Sequence, residues 1–188
     1  MSVKDFVQQR RDDFIALRRD FHMYPEPAWL EYRSAAKVAE KLIALGYDVA
    51  LGAEVLDLDS RMGLPSEDVM KAAMARAMDE GADPELVEKM GYGKTAIVAT
   101  MKFSDDGPVV AFRADMDSND VIESKASNHI PAKNGFRSRH EKAMHACGHD
   151  THMTMGLGLA EYIATHKDGL KGTIKLIFQP AEEGVRGA

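Results

Sequence analysis

The chain has 188 residues, of which 45% are hydrophobic and 29% charged, with a formal net charge of −6. These proportions are ordinary for a globular domain with one sizeable core. The chain lacks the long apolar run of a membrane-spanning helix, its charged first residues do not resemble a signal peptide, and it has no basic block for nucleic acid. A single cysteine forbids an internal disulfide, which agrees with a reducing compartment. Taken together, these features lead us to expect a cytoplasmic protein without a membrane or nucleic-acid partner.

The first part of the chain shows the periodicity of two amphipathic helices and a strand. Residues 2–21 begin at Ser2, in a sequence that resembles a capping box, and carry apolar residues at helical spacing, at Phe6, Val7, Phe14, Leu17 and Phe21. A second helix is predicted over residues 33–45, with Ile43 facing inward and Gly46 just beyond its end, and residues 47–51 are a strand candidate. The two-proline loop between the helices has three polar residues that either line a site or serve as caps and solvated charges: His22, Glu26 and Glu31.

Residues 59–92 return to a helical pattern and indicate an insertion into a compact α/β unit. Pro65-Ser66 is a helix start signal, and Pro84-Glu85 opens a shorter helix that stops at Gly91. The methionines at positions 70, 74, 78 and 90 are more typical of packing than of a cofactor site, so we expect them to pack.

Strands and a crossover helix predict the sheet. Residues 95–103 and 108–114 are separated by the turn-forming Ser104-Asp105-Asp106-Gly107, which favours a hairpin. A helix over 153–162 and a strand over 172–178 follow, and this strand–helix–strand pattern predicts that strands 108–114 and 172–178 are parallel. The expected fold class is therefore α/β, with a mixed, partly parallel sheet flanked by helices and a helical insertion.

The stretch MHACGHDTHM, residues 144–153, has the composition of a metal site, since it holds three of the seven histidines and the only cysteine. Imidazole and thiolate are common ligands of first-row ions, and Gly148 allows Cys147 and His149 to turn toward one ion. We expect both to be ligands, although a cysteine is also common as a small buried apolar residue. Three neighbours have alternative roles, as ligands, hydrogen-bond acceptors, helix caps or ordinary polar residues: His145, Asp150 and His152.

Acidic residues follow both strands that are predicted to be parallel. Asp115 and Asp117 lie where ligands of α/β enzymes collect, and they either orient a ligand or bind an ion, or else cap a turn. Glu182 and Glu183 are adjacent carboxylates, an arrangement that a metal ion would stabilise. If Glu183 binds the metal, Glu182 is free to take a proton from the attacking water; the alternative is two solvated glutamates at a helix start.

Three motifs together, FRADMDS, MHACGHDTHM and IFQPAEEG, resemble the M20 peptidase family, in the subfamily of hippurate and auxin-conjugate hydrolases. The resemblance extends over essentially the whole chain and includes the insertion at about residues 59–92. It implies a zinc-peptidase-like catalytic domain.

The resemblance also implies a role for each motif residue. Cys147, His149 and Glu183 correspond to metal ligands, Glu182 to the general base, and Asp117 to an aspartate that orients a ligand. Two divalent ions, manganese or zinc, would polarise the substrate carbonyl and lower the pKa of the attacking water. The implied reaction cleaves the amide of a small-molecule N-acyl amino acid, and the expected substrate is p-aminobenzoyl-glutamate, which yields p-aminobenzoate and glutamate.

The chain departs from the subfamily pattern in sequence and in length. Thr151 replaces a glycine and Ser118-Asn119 replace Ala-Leu, changes that we expect to affect the pocket more than metal binding. Family members are longer, so residues 1–188 correspond to the N-terminal part of the catalytic domain, without the dimerisation domain, the rest of the catalytic domain and two further histidine ligands. We therefore expect this chain alone to bind metal weakly, to have little or no activity and to expose a sheet edge that invites association. The whole protein is expected to be a homodimer or to pair with a second subunit.

Three other functions remain open at this point. The chain could be a general N-acyl amino acid amidohydrolase, a metal-binding module that kept the fold without the chemistry, or a structural zinc domain with a closed four-ligand site. Retention of both Glu182 and Glu183 argues against a non-catalytic module. Within the enzymes, the insertion at residues 59–92 favours aminobenzoyl-glutamate, by resemblance.

Overall fold

The structure, a computed structural model, describes residues 1–184 and 187 and consists of a four-stranded mixed sheet with helices packed against it. Among these residues, every helix is too short or too polar to span a lipid bilayer. The elements, in chain order, are α1 (Val3–Gln9), α2 (Arg11–Met23), α3 (Tyr32–Ala44), β1 (Asp48–Leu51), α4 (Glu67–Asp79), α5 (Pro84–Lys89), β2 (Ile97–Lys102), β3 (Val109–Asp115), α6 (Ile130–Lys133), α7 (His149–Thr165) and β4 (Thr173–Gln179), with a short 3-10 turn at Gly52–Glu54. The α/β fold class and the mixed sheet are thus confirmed.

The strand order is β1-β2-β4-β3, which places β4 between β2 and β3. β2 pairs with β4 in antiparallel orientation, and β3 pairs with β4 in parallel. The predicted hairpin between residues 95–103 and 108–114 is therefore wrong. The buried apolar side chains Ile174, Leu176 and Phe178 suit β4 to a central position, and the connection over residues 103–108 is long enough to cross the roughly 10 Å between strands two places apart.

The parallel pairing of β3 and β4 through the crossover helix α7 is confirmed. α7 begins at His149, earlier than predicted, and its N-cap is Gly148 in a left-handed conformation with φ 92° rather than Asp150. Gly156 brings this helix against the sheet, since a Cβ atom there would lie 2.9 Å from the ring of Phe178.

The N-terminal helices follow the predicted pattern with two exceptions. Two residues predicted to face inward are exposed, and the first predicted helix is divided into two. The first predicted helix is divided at Arg10 into α1 and α2, and Ser2 caps α1 by accepting a hydrogen bond from the backbone of Asp5 at 3.2 Å. Val7 and Ile43, predicted to face inward, are 49% and 52% exposed because each lies at the solvent edge of its helix stripe. α3 still packs on the core through its remaining apolar face, and α1 packs against α7, where Phe6 contacts Tyr162.

The insertion forms α4 and α5, which pack against α3. Its methionines mostly contribute to packing, as predicted, because Met70, Met74 and Met90 are buried and Met78 is packed against the core. The insertion therefore extends the hydrophobic core on the side of the N-terminal helices.

The parallel pairing of β3 and β4 positions the candidate site. Asp115 is paired with Gln179 at the carboxyl ends of these strands, so the residues that follow each strand leave the sheet side by side. The N-terminus of α7 is packed against β3. Consequently, the three sequence motifs converge at one edge of the sheet.

Candidate metal centre

The structure brings together the three residues predicted to bind metal. One ligand atom each from Cys147, His149 and Glu183 lies within 4.8 Å of the other two. They come from the loop before α7, the first residue of α7 and the turn after β4, respectively. Thiolate, imidazole and carboxylate are all ligands of Zn²⁺, and imidazole and carboxylate also suit Mn²⁺, so this donor set fits a divalent first-row ion.

The ring of His149 is fixed in orientation by backbone contact. Its Nδ1 lies 2.9 Å from the carbonyl oxygen of Asp117 and donates to it. Its Nε2 is thereby the nitrogen left for a metal ion, and this atom lies 3.6 Å from Glu182 and 3.8 Å from Glu183. Nε2 therefore faces both carboxylates.

The centre has strongly negative surroundings. Burial by itself lowers the pKa of His149, but hydrogen bonds and negative charge from Asp117 and Cys147 outweigh it and raise this pKa to about 11. The groups that favour a proton on His149 also favour a metal cation at the same place.

Asp117 holds the turn that carries both glutamates. Its side chain is fully buried, and its two carboxylate oxygens each accept a backbone hydrogen bond at 3.0 Å, Oδ1 from Glu182 and Oδ2 from Glu183. The same residue therefore contacts His149 through its carbonyl and the glutamate pair through its carboxylate.

Glu31 is a further residue of the site, and its role was left open by the sequence. Its fully buried Oε1 accepts backbone hydrogen bonds from Trp29 at 3.0 Å and from Ala181 at 2.9 Å, and Oε2 accepts one from the Thr95 hydroxyl at 2.7 Å. Burial, together with the nearby charge of Asp117, raises the pKa of Glu31 to about 8. Trp29 and Ala181 both adopt positive φ angles, 67° and 53°, and Glu31 bonds to the backbone of both.

Asn119 also contacts the centre. Its side-chain oxygen accepts a hydrogen bond from the backbone N–H of Cys147 at 2.9 Å. The Ser118-Asn119 departure therefore places one side chain against the backbone of a predicted ligand. That this departure affects the pocket more than metal binding stays a prediction.

A second group near the centre has metal-ligating chemistry. Ligand atoms of Asp115, His149 and His152 also lie within 4.8 Å of one another. Asp115, however, already has partners, because Arg113 and His152 each approach its carboxylate to 3.2 Å. We therefore assign Asp115 and His152 to a hydrogen-bonded pair beside the centre. His149 belongs to both of the groups that could hold a metal.

Two of the remaining polar residues that the sequence singled out, His22 and Glu26, form structural networks. His22 bridges Asp150 at 2.7 Å and Glu123 at 3.0 Å, and this buried chain of hydrogen bonds anchors the first turn of α7. The carboxylate of Glu26 accepts hydrogen bonds from two backbone N–H groups at the start of α3. His145 is buried, and burial lowers its pKa to about 4, so it is a neutral imidazole.

Comparison with known proteins places this arrangement in a family. Residues 111–188, which include all three motifs, match the sequence profile of "Peptidase family M20/M25/M40". The chain is 48% identical over 187 residues to one subunit of the p-aminobenzoyl-glutamate hydrolase of Escherichia coli (strain K12), and 46% identical over 186 residues to an indole-3-acetyl-aspartic acid hydrolase of Enterobacter agglomerans. These alignments cover 100% and 99% of this chain but 43% of each relative. The chain thus spans about two fifths of the length of these relatives.

Solved structures show the same likeness. An aminobenzoyl-glutamate utilization protein from Klebsiella pneumoniae superimposes with a TM-score of 0.82 and 39% identity, covering 100% of this chain and 41% of that one. A Bacillus subtilis protein described as a dinuclear metal binding peptidase from the M20 family gives a TM-score of 0.64 and 28% identity, over 98% of this chain and 38% of that one. From its motifs, its sequence relatives and its fold, the chain is similar to peptidase family M20, a family of metal-dependent hydrolases of amide bonds, and residues 111–188 match that family's profile.

Proposed function

We propose that the protein is a metal-dependent amidohydrolase that cleaves the amide of an N-acyl amino acid, with p-aminobenzoyl-glutamate as its substrate. The observation that carries this proposal is the approach of Cys147, His149 and Glu183 to within 4.8 Å of one another. Glu182 lies beside them, 3.6 Å from His149. Three potential ligands and an adjacent free carboxylate are the groups that metal-assisted hydrolysis requires.

We assign metal binding to Cys147, His149 and Glu183, and proton transfer to Glu182. A bound pair of manganese or zinc ions would lower the pKa of the attacking water and polarise the substrate carbonyl. The backbone carbonyl of Asp117 keeps the Nε2 lone pair of His149 directed into the site. The carboxylate of Asp117 fixes the backbone of Glu182 and of Glu183. Each glutamate side chain thereby has its own position, one for proton transfer and one for metal binding.

Glu182 has the position of a general base that later acts as an acid. Its side chain is partly exposed, so water and substrate reach it. It takes a proton from water as the water oxygen bonds to the amide carbon, and it returns that proton to the departing nitrogen as the carbon–nitrogen bond breaks. The products are a carboxylic acid and a free amine, here p-aminobenzoate and the amino group of glutamate.

The substrate is inferred from the relatives, whose names specify a p-aminobenzoyl-glutamate hydrolase and an indole-3-acetyl-aspartic acid hydrolase. Both compounds are amides of an acidic amino acid. A general N-acyl amino acid amidohydrolase is the second candidate, because the chemistry proposed for the centre acts on the amide itself and does not select the amino acid.

We also propose that the 188-residue chain by itself has low activity. Within the described residues, the two groups able to hold a metal share His149, so between them they offer five ligating residues for two ions. One relative is described as a single subunit of a hydrolase, and β3 is an edge strand with apolar residues exposed. We therefore infer that the working protein contains another polypeptide chain.

The experiment is hydrolysis of p-aminobenzoyl-glutamate by manganese-loaded protein, with Glu182→Gln and Glu183→Gln as matched variants. We expect Glu182→Gln to lower the rate by about 10²- to 10⁴-fold with metal content unchanged, and Glu183→Gln to lower both. Because metal content is measured on the same samples, the assignment is tested even where the rate is small. Loss of metal in Glu182→Gln with retention in Glu183→Gln would reverse the two roles.

A further inference from the structure

We propose that a cavity beside the metal centre binds the side-chain carboxylate of an acidic amino-acid substrate through Arg76. The inference rests on the proposed function and specifies the amino-acid half of its substrate. The cavity has a volume of about 340 Å³ and opens to solvent between α4 and the loop before α7. This volume lies in the range of small-molecule binding pockets.

Arg76 projects from α4 into the wall of this cavity with unsatisfied hydrogen-bond donors. Its Nε and Nη2 atoms are buried and have no hydrogen-bond partner among the described residues. Arg76 is close enough to Glu26 to favour the negative charge of that carboxylate. Both oxygens of Glu26, however, already accept hydrogen bonds from the backbone N–H groups of Arg33 and Ser34, at 2.9 and 2.8 Å. A buried guanidinium without a partner is costly, and a ligand carboxylate would satisfy it with two parallel hydrogen bonds.

The other charged groups around the cavity leave room for an anion. Lys142 lines it and makes no ion pair within the described part of the chain. Glu141 also lines it but is paired with Lys125 at 3.0 Å, which leaves Asp120 as the acid that opposes the two cations. Within the wall itself, two cations, Arg76 and Lys142, thus face one unpaired acid, Asp120; the nearby Glu26 and Glu80 lie outside the wall and bond to backbone N–H groups and to His140.

His140 lines the cavity without being available to a ligand. Its Nδ1 lies 2.7 Å from the carbonyl oxygen of Pro25 and its Nε2 lies 2.8 Å from Glu80, so both ring nitrogens have partners. One oxygen of Glu80 is buried without a partner among the described residues. A shift of Arg76 toward Glu80 is the structural alternative, and the test below separates it from ligand binding.

The cavity is continuous with the backbone segments that carry the metal centre. Pro27 of its wall pairs with Ser118, the residue after Asp117. Asp120 and Ala143 of the wall flank the paired residues Asn119 and Met144. Three residues of extended chain span at most about 10 Å, so Asp117 and the cavity wall are close enough for one small substrate. The carboxylate of a glutamyl group, a few bonds from the reacting amide, would reach from one to the other.

The test is equilibrium binding of p-aminobenzoyl-glutamate and of p-aminobenzoyl-glutamine, which keeps the α-carboxylate but has a neutral side chain, measured by calorimetry on the 188-residue chain. We expect the glutamate compound to bind about 10- to 100-fold more tightly, the range of a charge-assisted hydrogen bond. Arg76→Met should abolish that preference and leave the glutamine compound unaffected, while Arg76→Lys should retain part of it. Arg11→Met, on the exposed face of α2 where Arg11 pairs with its neighbour Asp12, is the matched control.

Two results would overturn the inference. In the first, Arg76→Met prefers the glutamate compound as strongly as the unmodified chain does. In the second, the unmodified chain binds both compounds equally or binds neither. Thermal unfolding of each variant shows whether Arg76 instead pairs with Glu80, since that role lowers stability without changing the preference. Metal content measured in parallel keeps the two proposals apart. A preference that depends on Arg76 in protein whose metal content is the same with and without Glu183→Gln would contradict only the proposed function, and metal binding through Glu183 without that preference would contradict only this inference.

Discussion

Glu31 and Asp117 together accept hydrogen bonds from three successive backbone N–H groups, those of residues 181, 182 and 183. Both carboxylates are fully buried, and the charge of Asp117 adds to the burial that raises the pKa of Glu31. The turn after β4 is thus held from two sides, by a loop between helices and by the end of β3. The position of Glu182 and Glu183 depends on this pair of acids as much as on the strand that precedes them.

The first prediction concerns Asp117. Asp117→Asn replaces one acceptor oxygen by an N–H₂ group that faces a backbone N–H, which displaces Glu183. We expect zinc affinity to fall about 10- to 100-fold, as is usual when a residue that orients a ligand is changed. A competition titration with a chelating dye measures it. Asp115→Asn is the control, since Asp115 pairs with Arg113 and His152; an equal loss in Asp115→Asn would transfer the site to the other group.

The second prediction concerns pH. The pKa of Glu31 is about 8 in the folded chain, whereas an unperturbed glutamate in the unfolded chain has a pKa of 4.5. A folded-state pKa that is raised gives stability that is complete below the unfolded value and lost as the pH rises through the folded value. In metal-free protein, urea unfolding should therefore show that Glu31 causes a loss on the order of a few kcal/mol between pH 5 and pH 9.

Glu31→Gln should remove that part of the pH dependence. Glu141→Gln, at an exposed carboxylate paired with Lys125, should leave it intact. If the unfolding free energies of Glu31→Gln and the unmodified chain change in parallel with pH, Glu31 does not titrate in this range.

The third prediction tests the packing of α7 on the sheet. A Cβ at Gly156 would lie 2.9 Å from the Phe178 ring, whereas one at Gly158 would lie 3.3 Å from the ring of Phe14. Gly156→Ala should lower the unfolding free energy by about 1–3 kcal/mol through overpacking. Gly158→Ala should be near neutral, because the better helix propensity of alanine offsets its closer contact. Equal effects in denaturant unfolding would show that α7 does not approach the sheet at Gly156.

The fourth prediction concerns the edge strand β3. Val110 is exposed on this strand, which pairs on one side with β4 in the described part of the chain. We expect the chain to associate with a second copy as its concentration rises, and Val110→Lys to suppress this. Sedimentation velocity measures the effect. Val69→Lys, at an exposed position of α4, is the control; suppression by both variants to the same extent would point to general charge repulsion.

The sequence alone was enough to predict which residues come together when those residues lie in short motifs. Cys147 and His149 lie two residues apart, and the rule that strand ends gather ligands brought Glu183 and Asp117 to the same edge of the sheet. The parallel pairing of β3 and β4 followed from the crossover helix between them.

Long-range relationships could not be predicted from local patterns. The bond from Ala181 to Glu31 joins residues 150 positions apart, and the loop around Glu31 contains no signal for its partner. The hairpin prediction failed for a similar reason. Ser104-Asp105-Asp106-Gly107 has the composition of a turn, but β4, which lies far along the chain, pairs between the two strands. Gly148 was predicted to help ligand convergence, yet its further role as the N-cap of α7 depends on the fold.

The most direct test of the metal centre is the anomalous diffraction of a crystal of the protein grown with zinc. We expect a peak within about 2.0–2.3 Å of Cys147 Sγ, His149 Nε2 and a carboxylate oxygen of Glu183. A peak held by Asp115 and His152, or none near His149, would contradict the assignment of the centre.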